Sequence, residues 1–214
     1  MQDYQKAFID LALEYGALQF GEFTLKSGRK SPYFFNAGRF SDSRALALVS
    51  QCIAQVLEAK NLEYDMIFGA AYKGIPLVSA LATTLFNQYQ RSVPVAYNRK
   101  EAKTHGEGGN LVGGPLGTNI LAVDDVISAG TAITEVINLA KSNQGQLKHV
   151  IVLLDRQEVA PNSDESIITS LAKTHDIQVH SVIQLDDLME YVKDSPSFTT
   201  YQDQLVAYRT QYGA

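Results

Sequence analysis

Apolar positions recur along this chain in two rhythms. Between residues 3 and 15, Tyr4, Phe8, Leu11, Ala12 and Tyr15 fall on one helical face, which predicts an amphipathic helix. Residues 18–36 break that rhythm. Leu18, Phe20, Phe23 and Leu25 precede the polar stretch Lys26-Ser27-Gly28-Arg29-Lys30-Ser31-Pro32, and Tyr33-Phe34-Phe35 resumes an aromatic run. Short strands around a basic turn are expected there. From residue 42 onward, apolar runs alternate with helical patterns. Ser41 or Asp42 can N-cap a helix through Lys60. Met66-Ile67-Phe68 is a short strand ending in Gly69, and a helix follows Gly74-Ile75-Pro76, where Pro76 is tolerated in the first turn. Strands are predicted over 93–97, 119–123, 149–154 and 178–183. Helices are predicted over 131–142, 164–174, 185–193 and 197–211. This alternation implies an α/β fold with a mainly parallel central sheet flanked by helices. Such sheets bind ligands at the carboxyl ends of their strands. The loops after Phe68, Tyr97, Val123 and Leu154 are therefore the expected carriers of chemistry.

Length and composition sharpen this picture. The chain has 214 residues, 45% of them hydrophobic and 19% charged, which fits one globular domain over 1–214 and argues against disorder. The formal net charge of −5 disfavours a nucleic-acid partner, since proteins that grip phosphate backbones are normally basic. The lone cysteine, Cys52, admits no internal disulfide and no cysteine-based zinc site. It sits in a helical pattern and reads as a small buried hydrophobe. The first residues are polar, and no stretch approaches the ~18 apolar residues of a membrane span. The expectation is a cytoplasmic protein with no membrane partner.

Three stretches carry the candidate chemistry. In Ile120-Leu121-Ala122-Val123-Asp124-Asp125-Val126-Ile127-Ser128-Ala129-Gly130-Thr131-Ala132, a buried strand runs into two adjacent carboxylates, and a loop of small residues then opens a helix. Amides at a helix start favour a phosphate. Two carboxylates beside a phosphate need another partner, and sugar hydroxyls or a magnesium ion suit them. The string thus points to a sugar phosphate. No lysine follows the glycine, so it is not the G-x-x-x-x-G-K-[ST] phosphate loop. The second stretch, 97–117, places Arg99, Lys100, Lys103 and His105 ahead of a run holding six of the chain's 15 glycines. A long aperiodic loop of this kind is expected to be a lid closing over a polyanion. His105-Gly106-Glu107 resembles half of a zinc-deaminase motif, but the P-C-x-x-C half is absent. Third, Phe68-Gly69-Ala70-Ala71-Tyr72-Lys73-Gly74 presents Lys73 at a helix start after a strand.

Together these stretches resemble a type I phosphoribosyltransferase. Phe23–Tyr33 with Lys26, Ala71-Tyr72-Lys73-Gly74, Arg99 through Gly109, and Asp155-Arg156-Gln157-Glu158 are similar to the orotate phosphoribosyltransferase family, in family order and over essentially the whole chain. The resemblance implies transfer of ribose 5-phosphate from phosphoribosyl pyrophosphate to orotate, with Mg2+, in pyrimidine (UMP) biosynthesis. It implies a small N-terminal hood from about residues 1–40 over the base. Lys26, Lys103, His105, Asp124 and Asp125 would be catalytic. Phosphoribosyl pyrophosphate would be held by Lys26, Tyr72, Lys73, Arg99, Lys100, Lys103, His105, Asp124 and Asp125, and by the 126–132 loop of Val126, Ile127, Ser128, Ala129, Gly130, Thr131 and Ala132. Orotate would meet Phe34, Phe35, Ser128 and Arg156, with the guanidinium fork on its carboxylate. Magnesium would be held mainly through the substrate, near Asp124 and Asp125. The lid cations would reach the neighbouring subunit of a homodimer. Two positions depart from the family pattern: Ser128 replaces its usual Thr, and Thr104 stands where Asp is common. A purine phosphoribosyltransferase on the same scaffold shares the sugar-phosphate loop, but its base offers Arg156 no carboxylate. A non-enzymatic regulator that senses the sugar pyrophosphate would need a basic surface or a further domain.

Overall fold

The structure, a computed structural model, describes residues 1–103, 109–127, 130–160 and 163–214. Helix α1 (Asp3–Glu14) leads into a hairpin of β1 (Leu18–Thr24) and β2 (Lys30–Phe35), a separate antiparallel sheet. Next come α2 (Ser43–Ala59), β3 (Met66–Gly69), α3 (Gly74–Tyr89), β4 (Val95–Lys103) and β5 (Gly109–Gly113). Then follow β6 (Asn119–Val126), α4 (Thr131–Ser142), β7 (Gln146–Asp155), α5 (Ile167–His175), β8 (Gln178–Gln184), α6 (Leu185–Asp194) and α7 (Gln202–Tyr212). The main sheet has the order β5-β4-β3-β6-β7-β8, parallel except for β5.

The central strands are apolar because both faces are covered. All four residues of β3 are buried, as are residues 120–125 of β6. Their side chains alternate between two cores. Ile67, Leu121, Val123, Ile151 and Leu153 face the layer of α1, α2 and α3. Met66, Phe68, Ala122, Val150 and Val152 face α4 through Ile133, Val136 and Ile137. Helix α2 begins as expected at Asp42, whose side chain accepts the Ala45 N–H at 2.8 Å. Cys52 is buried within it.

The structure corrects several boundaries. The expected aperiodic stretch 97–117 is largely an antiparallel arm, with Tyr97 paired to Val112 and Asn98 to Leu111. Backbone pairing outweighs the absence of an apolar pattern there. Gly113 closes the arm at φ +109, where a Cβ would lie 2.3 Å from the Val95 carbonyl. Strand β6 runs to Val126, so Asp124 and Asp125 belong to the strand's end and not to the loop. Helix α5 starts at Ile167 because Ser166 caps it, accepting the Thr169 N–H at 2.9 Å. The last expected helix divides into a 3-10 turn, Thr199–Tyr201, and α7.

Within residues 1–40, the hairpin is the part that stands off the main sheet. Its inner side packs into the core: the Phe35 ring lies 6.2 Å from Phe8 and 6.3 Å from Phe40. Phe20 packs 5.2 Å from Phe198 and 5.3 Å from Tyr201, which fastens the hairpin to the C-terminal helices.

Candidate active site

Strand β3 leads through α3 to β4 on one side of the sheet, whereas β6 leads through α4 to β7 on the other. The chain therefore leaves this hydrogen-bonded pair in opposite directions, which opens a crevice beyond their carboxyl ends. Gly69 pairs with Val123 at its mouth. The loop after β3 lies directly on β6: a Cβ on Gly74 would be 2.4 Å from the Val123 carbonyl, and one on Gly69 would be 2.6 Å from the Gly74 carbonyl. Only glycine allows that approach. The Ala70 N–H donates to the Val123 carbonyl at 3.2 Å, and the Ala71 N–H donates to Asn98 Oδ1 at 2.8 Å. The Ala71–Tyr72 peptide is cis. The loop holds Tyr72 out in solvent, with Lys100 Nζ 5.3 Å from its ring centroid.

Lys73 Nζ donates to Asp125 Oδ2 at 2.6 Å. The lysine side chain is 48% exposed and the carboxylate only 9%, so the cation sits at the rim and the anion in the wall. Asp124 Oδ1 accepts the Asp125 backbone N–H at 2.8 Å. Burial, and then the neighbouring Asp125 charge, push the Asp124 carboxyl up to about 7. Beside this diacid lies a cleft of about 250 Å³, lined among others by Ala71, Lys100, Asp124, Thr131, Ala132 and Glu135. Helix α4 begins after Gly130, a left-handed residue at φ +73, and among the described residues no side chain caps that end. Its first amides therefore remain for an anion. Val126 and Ile127 also line the cleft.

The structure thus lines one crevice with Lys100, Asp124, Val126, Ile127, Gly130, Thr131 and Ala132, and holds Lys73 on Asp125, the residue next to Asp124, with Tyr72 exposed on the same loop as Lys73. Arg99 is half-buried on β4. Lys103 pairs across the arm with Gly109. His105, Thr104, Ser128 and Ala129 lie outside the described residues.

The base-side residues stand at the hood. Lys26 is exposed on a turn closed by Gly28 N–H to the Leu25 carbonyl and Leu25 N–H to the Arg29 carbonyl, both 2.9 Å. Phe34 is 38% exposed and stacks on Phe23 at 5.5 Å. Phe35 is a correction. As the next residue of a strand it points the opposite way, is 8% exposed and fills the core. Only Phe34 of the pair offers a face to a ligand.

Arg156 follows β7 and is already engaged. Its Nε donates to Glu158 Oε1 at 2.5 Å, and its Nη2 donates to Ser31 Oγ at 3.0 Å and to the Tyr208 hydroxyl at 2.8 Å. The guanidinium lies 4.2 Å from the Tyr33 ring centroid. Both Nη2 hydrogens are thus committed, and among the described residues Nη1 has no hydrogen-bond partner. The expected two-pronged fork is not free as built; a ligand carboxylate would meet the Nη1 edge. Sequence reasoning missed Asn98, Arg29, Ser31 and Tyr208. Asn98 left a trace as a polar residue in a strand run, but the other three act across more than 50 residues of chain.

Comparison with known proteins now bears on this geometry. Residues 39–189 match the family model of the phosphoribosyl transferase domain. The chain is 52% identical over 213 residues to orotate phosphoribosyltransferase of Hahella chejuensis, covering 100% of this chain and 99% of that one. The chain belongs to the orotate phosphoribosyltransferase family. Orotate phosphoribosyltransferase of Haemophilus influenzae is 46% identical, with both chains covered in full. The crystal structure of orotate phosphoribosyltransferase from Francisella tularensis superposes with a TM-score of 0.86 at 40% identity, covering 97% of this chain and 100% of that one. The domain match spans the switch-point crevice and Arg156 and excludes the hairpin, whereas the family relatives extend over the hairpin as well. The hood is therefore part of what this chain shares with the orotate phosphoribosyltransferase family.

Proposed function

We propose that this chain transfers ribose 5-phosphate from phosphoribosyl pyrophosphate to orotate, giving orotidine 5′-phosphate and diphosphate in pyrimidine biosynthesis. The sugar-phosphate assignment rests on one observation: the buried carboxylate of Asp124, with buried Asp125 beside it in sequence, and the start of α4 line one crevice. The family relatives' shared name and the placement of Arg156 at the hood support orotate as the base.

In the reaction the bond from the anomeric carbon to diphosphate oxygen breaks, and its electron pair leaves with diphosphate. A bond from the orotate ring nitrogen forms, and the proton that nitrogen carried is released to water. The carbon passes through oxocarbenium character, so catalysis consists of holding the sugar and stabilising charge on the leaving group. Asp124 and Asp125 accept from the ribose hydroxyls. The first amides of α4, with Ser128 and Ala129, hold the 5′-phosphate. Lys73 exchanges Asp125 for the diphosphate, which frees that carboxylate for the sugar. Arg99, Lys100, Lys103 and His105 bring further positive charge from the arm, and Lys26 faces the reacting centre from the hood turn. Phe34 covers the base and the Arg156 Nη1 edge meets its carboxylate. Magnesium supplies charge neutralisation on the diphosphate. No three carboxylate or imidazole groups converge among the described residues, so the ion would be carried mainly by substrate oxygens, with Asp124 and Asp125 nearest.

The arm leaves the sheet edge at β4 and β5, a position from which its cations would reach a second subunit. A homodimer is therefore the proposed functional unit, and the cytoplasm the proposed compartment. Among the described residues no helix is long and apolar enough to cross a membrane. The test is loss of orotate absorbance on adding phosphoribosyl pyrophosphate, with and without magnesium. Consumption requiring both is expected. No consumption of orotate, with hypoxanthine, adenine or xanthine consumed in its place, would overturn the base assignment. Sedimentation equilibrium tests the dimer.

A further inference from the structure

We propose that Glu158 is a positioning residue for base recognition, aiming Arg156 at the orotate carboxylate and locking it to the hood turn that carries Lys26. The inference rests on the reading of Arg156 given above and concerns how that side chain is held. Glu158 is buried, and its carboxylate is divided between two guanidinium groups. Oε1 accepts from Arg156 Nε at 2.5 Å, and Oε2 accepts from Arg29 Nη1 at 2.7 Å. Arg29 also donates to the Val159 carbonyl at 3.1 Å and lies 5.1 Å from the Tyr212 ring centroid. The Tyr208 hydroxyl donates to Glu158 Oε1 while accepting from Arg156 Nη2. Three separate parts of the chain thus meet on one carboxylate: the hood turn, the end of β7 and α7.

The backbone around Glu158 is held as well. Glu158 bridges to Gly213, the Val159 N–H donates to the Tyr212 carbonyl at 2.9 Å, and the Ile167 N–H donates to the Glu158 carbonyl at 3.0 Å. Burial alone would raise its carboxyl, but Arg156, the Tyr208 hydroxyl and Arg29 outweigh burial and hold it below its usual range. Arginine has many rotamers, and fixing one before the ligand arrives removes an ordering cost from binding. With Nε and Nη2 occupied, rotation about the terminal bonds is blocked and only the Nη1 edge is presented. Two guanidinium groups share one carboxylate, so one positive charge is left over for one incoming anion.

The experiment compares Glu158→Gln, Tyr208→Phe, Arg156→Ala and the Glu158→Gln/Arg156→Ala double variant in the full chain. For Glu158→Gln the orotate KM is expected to rise about tenfold, with kcat within about twofold and the KM for phosphoribosyl pyrophosphate unchanged. For Tyr208→Phe, which keeps the ring and loses one hydroxyl, a rise of about threefold is expected. In the Arg156→Ala background the glutamine substitution should add nothing, because its effect passes through that arginine. A merely structural role would lower the active fraction and the unfolding midpoint without moving the orotate KM. An orotate KM that stays unchanged or falls in both Glu158→Gln and Tyr208→Phe overturns the proposal. So does a Glu158→Gln effect of equal size with and without Arg156. If Arg156→Ala itself leaves the orotate KM unchanged, it is the assignment of Arg156 that fails.

Discussion

At the hood, the polar hydrogens of Arg156 Nε and Nη2 already have protein partners, and Glu158, Arg29, Tyr208 and Ser31 close the network around it. At the switch point, Asp124 stands in the wall of a cleft, and its neighbour Asp125 is paired with the half-exposed Lys73. The first region is assembled whether or not a ligand is present. The second is electrostatically incomplete: burial and then the neighbouring Asp125 charge raise the Asp124 carboxyl, and among the described residues no side chain caps the first turn of α4. On the proposed function, the contrast follows from what each half would recognise. A rigid planar base would be read by a preset edge. A charged, flexible sugar pyrophosphate would be met by groups whose unfavourable placement its hydroxyls and accompanying cation would relieve.

The largest test of this contrast is Lys103→Ala on the arm. Turnover should fall by about a thousandfold with little change in either KM, because charge on departing diphosphate is met only in the transition state. Unaltered steady-state turnover would remove the arm from the chemistry. Next comes the pair Phe35→Ala and Phe34→Ala. The first should destabilise the fold by about 3 kcal/mol through a core cavity, the second by well under ~1 kcal/mol. Chemical denaturation distinguishes them, and equal losses would contradict the opposed facing of these neighbours. Arg156→Ala should raise the orotate KM about thirtyfold while leaving that for phosphoribosyl pyrophosphate in place, which separates the two halves kinetically.

The smallest effect is one on stability: Asp124→Asn should stabilise the fold. Asp124 has a folded-state pKa above its unfolded value, so its contribution to stability is lost as pH rises from about 4 to about 7. The asparagine variant escapes that loss. It should match the parent near pH 4 and exceed it by roughly 1–2 kcal/mol at pH 8. Thermal unfolding across that range measures the difference, and a variant less stable at pH 8 would show the diacid to be relaxed.

The sheet and its crevice were legible because Met66–Phe68, Ile120–Val123 and Val150–Leu154 are continuous apolar runs, the mark of strands covered on both sides. The diacid, the small-residue loop and Lys73 were legible as local strings. The arm was not, because it is held by backbone pairing such as Tyr97 with Val112 and Asn98 with Leu111, which leaves no apolar pattern in the sequence. Phe34 and Phe35 were read together as pocket walls, although strand alternation separates them. The network around Arg156 was half visible: Glu158 two residues away could be weighed as an ion-pair partner, but Ser31 and Tyr208 lie 125 and 52 residues off. Contacts of that range are settled only by packing.

The pairing of β3 with β6 also acts as a ruler. Gly69 stands opposite Val123, and neighbouring strands are held about 4.8 Å apart. The loop proposed to meet the diphosphate and the acids proposed to meet the ribose therefore start from adjacent positions of one hydrogen-bonded ladder. Their separation is measured in strand spacings, not in side-chain reach. Loops on either side can lengthen, shorten or change sequence without altering that distance, so new bases and new lids can evolve around an unchanged gauge for the sugar. A one-residue slip in either strand would miscalibrate it at once, turning every side chain to the opposite face.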